Sequence, residues 1–251
     1  MRKAERLNWI LDRIAADGSV AVGDLAGQLG VSEATVRRDL QSLTRDRLLV
    51  RTHGGALARE TGEEVPGRLK AARMQQEKRH IGQAAARLVD DGAVVGISGG
   101  TTSVELAREL SSRRDLTVVT NAVDVAALLA GRPDLHLIFV GGIVRRSLEA
   151  VGPAAEEMLS RYHLDVVFIG VDGLTVDAGC TTFDEMEAQT DRAFLRQARR
   201  RVVIADSSKL GLVTFARIAS VDEVTDLVTD AAADAGQVAA LERAGLQVRL
   251  A

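Results

Sequence analysis

Cysteine is almost missing from this 251-residue chain: a single one, Cys180, stands in the whole sequence. One cysteine excludes an internal disulfide and leaves no thiolate cluster for a metal, so neither metal nor cofactor is expected. Cys180 is either a lone reactive thiol or a small packed residue, and packing is the better fit. Aromatic side chains are also scarce, at 3% against 46% hydrophobic residues overall. The core therefore has to be built from Val, Ile, Leu and Ala. No apolar run approaches the ~20 residues that a membrane-spanning helix needs. The opening MRKAERLNWIL is amphipathic and lacks the apolar centre of a signal peptide. A cytoplasmic protein with no membrane partner is expected.

Positive charge is in short supply as well, with a net charge of −3 and a pI near 5.9. That total argues against a nucleic-acid partner, but the distribution argues for one. Residues 1–60 carry ten Lys and Arg against eight Asp and Glu, leaving twenty-two against twenty-seven in the remainder. A mildly basic head on an acidic body suits docking of one face on DNA, because the body's repulsion limits indiscriminate coating. A head with so few charges binds weakly at cellular salt, so a homo-oligomer, a dimer or tetramer, is expected to present several heads to repeated sites. A chain of 251 residues is long enough for such a two-part arrangement.

The head is the most legible part. Arg6, Leu7, Ile10, Leu11 and Ile14 have helical spacing, and Asp17-Gly18 ends that helix. Val22 to Leu29 forms a second, shorter helix, and Gly30 supplies the left-handed residue that a tight turn needs. The stretch Val31 to Leu43, VSEATVRRDLQSL, follows. Ser32 can cap the helix start and Glu33 lies at the positive end of its dipole. Val36, Leu40 and Leu43 recur at i, i+4 and i+7 as a core stripe. Thr35, Arg37, Arg38 and Gln41 are left on the outer face, where they can reach phosphates and base edges. Leu48 to Arg51 reads as a short strand and His53-Gly54-Gly55 as the turn of a wing, with Arg51 and His53 against the DNA backbone. The order is that of a winged helix-turn-helix. An ordinary three-helix scaffold with a charged solvated face is the alternative, and it leaves the combined spacing and outward chemistry unexplained.

With those residues in place, the chain resembles the DeoR family of bacterial transcription regulators. The family's amino-terminal signature lies over Arg6, Ile10, Ile14, Ser32, Thr35, Val36, Arg37, Arg38, Asp39, Leu40 and Leu43 without a gap, and the wing RTHGGA, Arg51 to Ala56, also matches. The resemblance implies double-stranded operator DNA as a partner of the head.

The expected organisation is a winged helix-turn-helix over residues 1–58, a linker over 59–74 and a sensor domain over 75–251. The stretch RETGEEVPG is acidic, contains Gly and Pro, and has no apolar period. Leu69 to Val89 reads as a helix, either relaying the state of the body or simply packing. From Ala93 onward, short Val/Ile/Leu runs (AVVGI, LTVVT, LHLIFV, LDVVFIG, RVVIA and DLVT) alternate with the helical segments Ser103–Leu110, Ala122–Ala130, Ala154–Tyr162 and Glu185–Arg200. Such alternation gives an α/β fold with a mainly parallel sheet covered on both faces.

Ligands of parallel sheets settle at the carboxyl ends of the strands. There the sequence is polar and rich in glycine. AVVGI runs into Ser98, Gly99, Gly100, Thr101, Thr102 and Ser103, a loop of bare N–H groups and hydroxyls suited to phosphate. The second strand ends at Asn121, the third at Gly141-Gly142, the fourth at Asp172-Gly173, and the fifth at Asp206-Ser207-Ser208-Lys209. Singly, each has an ordinary use: a helix cap, an Asp-Gly turn, a solvated lysine. Together at successive strand ends they are better explained as a polyol-phosphate site.

The family resemblance extends over about Gln75 to Asp230. It implies a DeoR-type effector domain that senses phosphorylated sugars or related metabolites and shares its fold with ribose-5-phosphate isomerase and CoA transferases. Positions matching its ligand motifs are Gly100, Thr101 and Thr102, Thr120 and Asn121, Gly141 and Gly142, Asp172 and Gly173, and Asp206, Ser208 and Lys209. Two places depart from it. Many members have Asp at Ser98 and Pro-Asn at Phe183-Asp184, and both flank the expected pocket.

An isomerase reading requires a carboxylate base beside the reacting carbon. Leu174-Thr175-Val176 follow Asp172-Gly173, and the next glutamates, Glu185 and Glu187, fit a helix opening at Asp184. The expected function is therefore that of a non-enzymatic regulator. It is read as a repressor of a sugar or polyol catabolic operon, released by a phosphorylated sugar effector. An isomerase-like enzyme with an accessory head and an activator of the same family are the alternatives.

Overall fold

The computed structural model describes residues 3–17, 19–45, 49–52, 54–58 and 74–251, in two compact units, Met1–Arg73 and Met74–Ala251. His53, the Leu11 side chain and most of the expected linker lie outside the described residues.

In the first unit, α1 (Lys3–Asp17), β1 (Ser19–Ala21), α2 (Val22–Leu29), α3 (Glu33–Arg45), β2 (Leu49–Arg51) and β3 (Gly55–Ala58) follow in order. Gly30 ends α2 at φ 63°, and its N–H donates to the Ala26 carbonyl. An L side chain rarely adopts that backbone, so the helix-turn-helix corner requires glycine. Ile10, Ile14, Val22, Leu25, Val36, Leu40 and Leu43 fill the core with Leu49 and Ala56 of the wing. The three strands form an antiparallel sheet in the order β1-β3-β2. β1 is a strand that periodicity does not reveal: its residues extend because β3 offers Val20 a partner at Ala56.

The second unit opens with α4 (Gln75–Ala86) and β4 (Val94–Ile97), α5 (Thr101–Leu110), β5 (Leu116–Thr120), α6 (Val123–Leu129) and β6 (Leu135–Phe139). A small hairpin of β7 (Ile143–Val144) and β8 (Ala150–Val151) precedes α7 (Pro153–Leu159), β9 (Leu164–Ile169), β10 (Gly173–Thr175) and β11 (Gly179–Thr182). The chain ends with α8 (Glu185–Gln197), β12 (Ala198–Ile204), β13 (Ala216–Ala219), β14 (Asp226–Thr229), α9 (Ala235–Arg243) and β15 (Gln247–Leu250).

Seven of these strands form one sheet in the order β15-β14-β12-β9-β4-β5-β6, with every pairing parallel. The alternation of side chains along each strand feeds two cores. Val118, Val166, Phe168, Val202 and Ile204 face one layer together with Ile81 of α4 and Leu106 and Leu110 of α5. Val119, Val167, Ile169 and Val203 face the other, with Phe194 and Leu195 of α8 and Leu241 of α9. The second layer also holds an antiparallel sheet, β10-β11-β13. Cys180 is fully buried within it, and burial pushes its thiol up to about 12 with Asp191 and Glu223 adding to the effect, so it is a packing residue rather than a nucleophile.

The clearest departure from expectation is at the end of α8. α8 stops at Gln197, and residues 198–200 belong to β12, where Ala198 pairs with Leu164 and Arg200 with Val166. Helical composition there is overridden by the ladder to β9 and by the Arg200–Asp226 ion pair at 2.6 Å. The α4 helix begins at Gln75, the expected start at Leu69 lying outside the described residues. Among the described residues no helix is long and apolar enough to cross a membrane.

The strand order reverses at the centre. From β4 the chain winds outward through β5 to β6, then returns to β9 on the other side of β4. The carboxyl ends of β4 and β9 therefore flank a topological switch point, the place where open parallel sheets leave a crevice.

Candidate functional site

On α3 the hydroxyl of Ser32 accepts from the Thr35 N–H at 3.3 Å and lies 3.0 Å from the Thr35 hydroxyl, which closes the helix start. Val36, Asp39, Leu40 and Leu43 are buried, whereas Arg37, Arg38, Gln41 and Arg45 are exposed. Arg37 is already engaged, its Nη2 lying 3.0 Å from Glu33 Oε2 one turn back. Arg38 has no hydrogen bond or ion pair among the described residues. Arg51 is exposed on β2. Two features of this face escaped sequence reasoning. Arg45 extends the exposed row by one further turn. Asp39, within the Arg-Arg-Asp run, points inward to Arg6, whose Nε lies 2.5 Å from its Oδ2.

In the second unit Ser98 is buried at the end of β4, where its N–H donates to the Phe168 carbonyl at 3.0 Å. Its hydroxyl favours the charged form of the Asp191 carboxyl. The chain then turns through Gly99 and Gly100 into α5, with the Ser103 hydroxyl donating to the Gly99 carbonyl at 2.9 Å. The first-turn N–H groups of Thr101, Thr102 and Ser103 have no carbonyl within their own helix to bind. Thr120 and Asn121 close β5, fully buried. Asn121 Nδ2 donates to the Ala150 carbonyl at 3.1 Å, and its Oδ1 is buried without a hydrogen-bond partner among the described residues.

From the β9 side, Asp172 is buried and holds the Lys209 ammonium at 3.2 Å, with the Thr182 hydroxyl oxygen 3.4 Å away. Asp206 accepts from the Ser208 N–H at 3.2 Å and from the Ser208 hydroxyl, fixing the short turn that delivers Lys209. Lys78 of α4, also buried, stands 3.7 Å from Asp206. Two glycines are accounted for by neighbouring backbone. A Cβ on Gly142 would fall 2.6 Å from the Val151 carbonyl oxygen, and one on Gly173 would fall 2.4 Å from that of Leu212. Gly141, half-buried, has open space where a side chain would stand.

The β7–β8 hairpin and α8 contribute four charged side chains that the sequence did not single out for this site. Arg145 pairs with Asp184 at 3.2 Å and with Glu187. Glu187 also accepts from the Thr182 hydroxyl at 2.5 Å, so it serves the site as well as the first turn of α8. Glu149 is buried, and its carboxylate lies against Gly99, where a Cβ would fall 2.2 Å from Oε1. Asp191 is buried, with one oxygen unpartnered among the described residues. Burial holds its carboxyl well above the usual carboxylate range; the charge of Glu187 adds to this, the Ser98 hydroxyl opposes it, and Asp172 adds again.

The two departures noted in the sequence both have a local use. Ser98 offers Asp191 a donor where an aspartate would bring another negative charge. Asp184 caps α8 by accepting from the N–H groups of Met186 and Glu187 and pairs with Arg145.

Known proteins share both units. The family model for the DeoR-like helix-turn-helix domain matches residues 6–61, and that for the DeoR C terminal sensor domain matches residues 73–231. The HTH-type transcriptional regulator GlpR of Haloferax volcanii is 35% identical over 250 residues, covering 99% of this chain and 98% of its own. The glycerol-3-phosphate regulon repressor of Escherichia coli is 31% identical over 232 residues, covering 92% of each chain. The HTH-type transcriptional repressor GlcR of Bacillus subtilis is 32% identical over 252 residues, covering 99% of this chain and 96% of its own. Among solved structures, ribose 5-phosphate isomerase A of Methanocaldococcus jannaschii matches 55% of each chain at 20% identity, with a TM-score of 0.42. With family models spanning head and body and full-length relatives named as regulators, the chain belongs to the DeoR family and is a DNA-binding transcriptional regulator, not an enzyme.

Proposed function

We propose that this regulator represses a sugar or polyol catabolic operon in the cytoplasm and leaves its operator when a phosphorylated sugar binds at the carboxyl ends of β4, β5, β9 and β12. The observation that supports the reading is that a hydroxyl-rich helix start, Gly100 to Ser103, Asn121 with its orphaned Oδ1, and the Lys209–Asp172 pair all follow the carboxyl ends of the adjacent strands β4, β5, β9 and β12. Bare N–H groups and the lysine suit a phosphate, and the buried carboxylates suit the hydroxyls of a polyol. The names of the relatives, one of them a glycerol-3-phosphate regulon repressor, agree with that ligand class.

In the same reading, Ser98, Gly99, Gly100, Thr101, Thr102, Asn121, Asp172 and Lys209 surround the effector, and Gly141 borders it. Gly142 and Gly173 set the backbone nearby. Thr35, Arg38 and Gln41 of α3 read the major groove, with Ser32, Arg37, Arg51 and His53 on the DNA backbone. Two or more copies bind repeated half-sites, and effector binding changes their alignment. Lowering operator affinity a hundredfold takes about 2.8 kcal/mol of coupling, within reach of a few charge-assisted hydrogen bonds made in one state only.

The test is a thermal-shift screen of the full chain against pentose, hexose and polyol phosphates, followed by operator titrations with each ligand that stabilises it. A phosphate ester that both stabilises the protein and releases DNA is the expected result. Failure of every phosphate ester to do either overturns the reading.

A further inference from the structure

The loop read as the phosphate cradle already holds a negative charge. A Cβ at position 99 would fall 2.1 Å from Glu149 Cδ and 2.2 Å from both its Cγ and its Oε1, so only a glycine leaves space for this side chain. Glu149 is 5% exposed. The β7–β8 hairpin brings it there, fastened to the end of β5 by three bonds. The Val123 N–H donates to the Leu148 carbonyl at 2.8 Å, the Ala150 N–H to the Asn121 carbonyl at 2.8 Å, and Asn121 Nδ2 to the Ala150 carbonyl at 3.1 Å. The carboxylate therefore rests on the loop that opens α5, where the positive end of the helix dipole favours an anion.

Charge makes this position consequential. Among the described residues, Asp172 and Glu187 already bring carboxylates to the site, each beside a cation, Lys209 and Arg145 respectively. A phosphate dianion entering the same loop would stand in contact with the Glu149 carboxylate, and two anions at that separation repel strongly in a site shielded from water. Asn121 gives an independent sign that something else belongs here. Its amide nitrogen is committed to the hairpin and its buried Oδ1 is left without a donor among the described residues.

We propose that Glu149 is the internal occupant of the anion cradle, a carboxylate that competes with the effector's phosphate and has to leave Gly99 for the ligand to bind. The inference rests on the effector-site reading and assigns to one residue the threshold at which the regulator responds. Removing the competing charge raises affinity for phosphates while leaving neutral ligands untouched.

The experiment titrates the full-length protein with inorganic phosphate, glycerol 3-phosphate and glycerol by calorimetry, for the wild type, Glu149→Gln, Glu149→Ala and Glu149→Asp. Both uncharged variants are expected to bind the two phosphates at least tenfold more tightly than the wild type, with Glu149→Asp between and glycerol binding unaltered. Unchanged phosphate affinity in both uncharged variants overturns the proposal. Weaker affinity in both also overturns it, and makes Glu149 an acceptor for ligand hydroxyls. If no form of the protein binds either phosphate, the effector-site reading itself falls, which separates that failure from the failure of the competitor.

Discussion

Arg6 and Asp39 clasp α1 to α3 through two bonds, Nε to Oδ2 at 2.5 Å and Nη2 to Oδ1 at 3.3 Å, with side chains only 12% and 3% exposed. The hydrogen bond to Asp39 raises the pKa of the Arg6 guanidinium, and burial opposes it. The recognition helix is thus seated on the head by a charge as well as by Val36, Leu40 and Leu43. Asp39→Ala should leave the guanidinium with no counter-ion and destabilise the head by about 3 kcal/mol. Head unfolding followed by circular dichroism, with operator binding in parallel, is the measurement. Replacing both partners by apolar residues of similar size, Arg6→Met with Asp39→Leu, should restore most of the stability. A single Asp39→Ala variant as stable as the wild type would show the pair to be incidental.

Arg37 and Arg38 are adjacent in sequence but differently placed for DNA. Arg37 is held by Glu33, a pair half exposed on both sides and worth about 0.3–0.5 kcal/mol, so it exchanges readily for a phosphate. Arg38 is exposed and has no ion pair among the described residues, which in the proposed reading leaves its guanidinium for a base edge. Arg38→Ala should cost about 1–3 kcal/mol on the operator and much less on a scrambled duplex, whereas Arg37→Ala should weaken both alike. Fluorescence anisotropy on the two duplexes at one fixed salt concentration separates them. Equal losses from both substitutions on both duplexes would contradict this division of labour.

Lys209 reaches Asp172 from the neighbouring strand on the β9 side of the switch point, bridging the ends of β12 and β9. Lys209→Ala should leave operator affinity within twofold of the wild type while abolishing release by phosphorylated ligands. Because the Asp172 carboxylate left behind is buried, the substitution should also cost stability, so thermal unfolding of the variant is followed beside the binding assays. Electrophoretic shift titrations with and without ligand read both effects. An undiminished response to ligand would remove Lys209 from the site.

The division between what the chain announces and what it conceals follows the range of the interactions. The central strands are legible because each is a short β-branched run buried on both faces, as in Val94–Ile97 and Leu164–Ile169. Gly30 and the Val36-Leu40-Leu43 stripe are equally local signals. β1 and the β10-β11-β13 sheet are not, since their extension depends on partners distant in sequence, such as Ala219 for Cys180. The polar strand ends, Ser98 to Thr102 and Asp172, could be named from the parallel-sheet rule alone. Glu149, Arg145, Glu187 and Asp191 could not. They arrive from a hairpin and a helix whose docking no periodicity encodes, and each looks like an ordinary surface charge in the linear chain. Glu187 is the instructive case, because its place in the first turn of α8 is a sufficient local reason for a glutamate, and its bond to Thr182 is invisible without the fold.

Asp191 provides a prediction in pH. Its carboxyl is raised well above the ordinary Asp value by burial and by Glu187, so the folded state holds a proton that the unfolded chain releases at about pH 4. Between that pH and the raised folded value, folding takes up a proton. The contribution to stability is therefore fully present below about pH 4 and is lost as pH rises through the folded pKa. Asp191→Asn keeps an oxygen to accept from Ser98 and removes the charge that burial penalises. The variant should be more stable than the wild type at neutral pH, with the advantage shrinking as the pH is lowered toward 4. Thermal unfolding of both proteins between pH 5 and 8 measures this. A wild type that gains stability relative to Asp191→Asn on raising the pH would mean that the carboxylate is charged in the folded protein, held by cations around the site rather than by a proton.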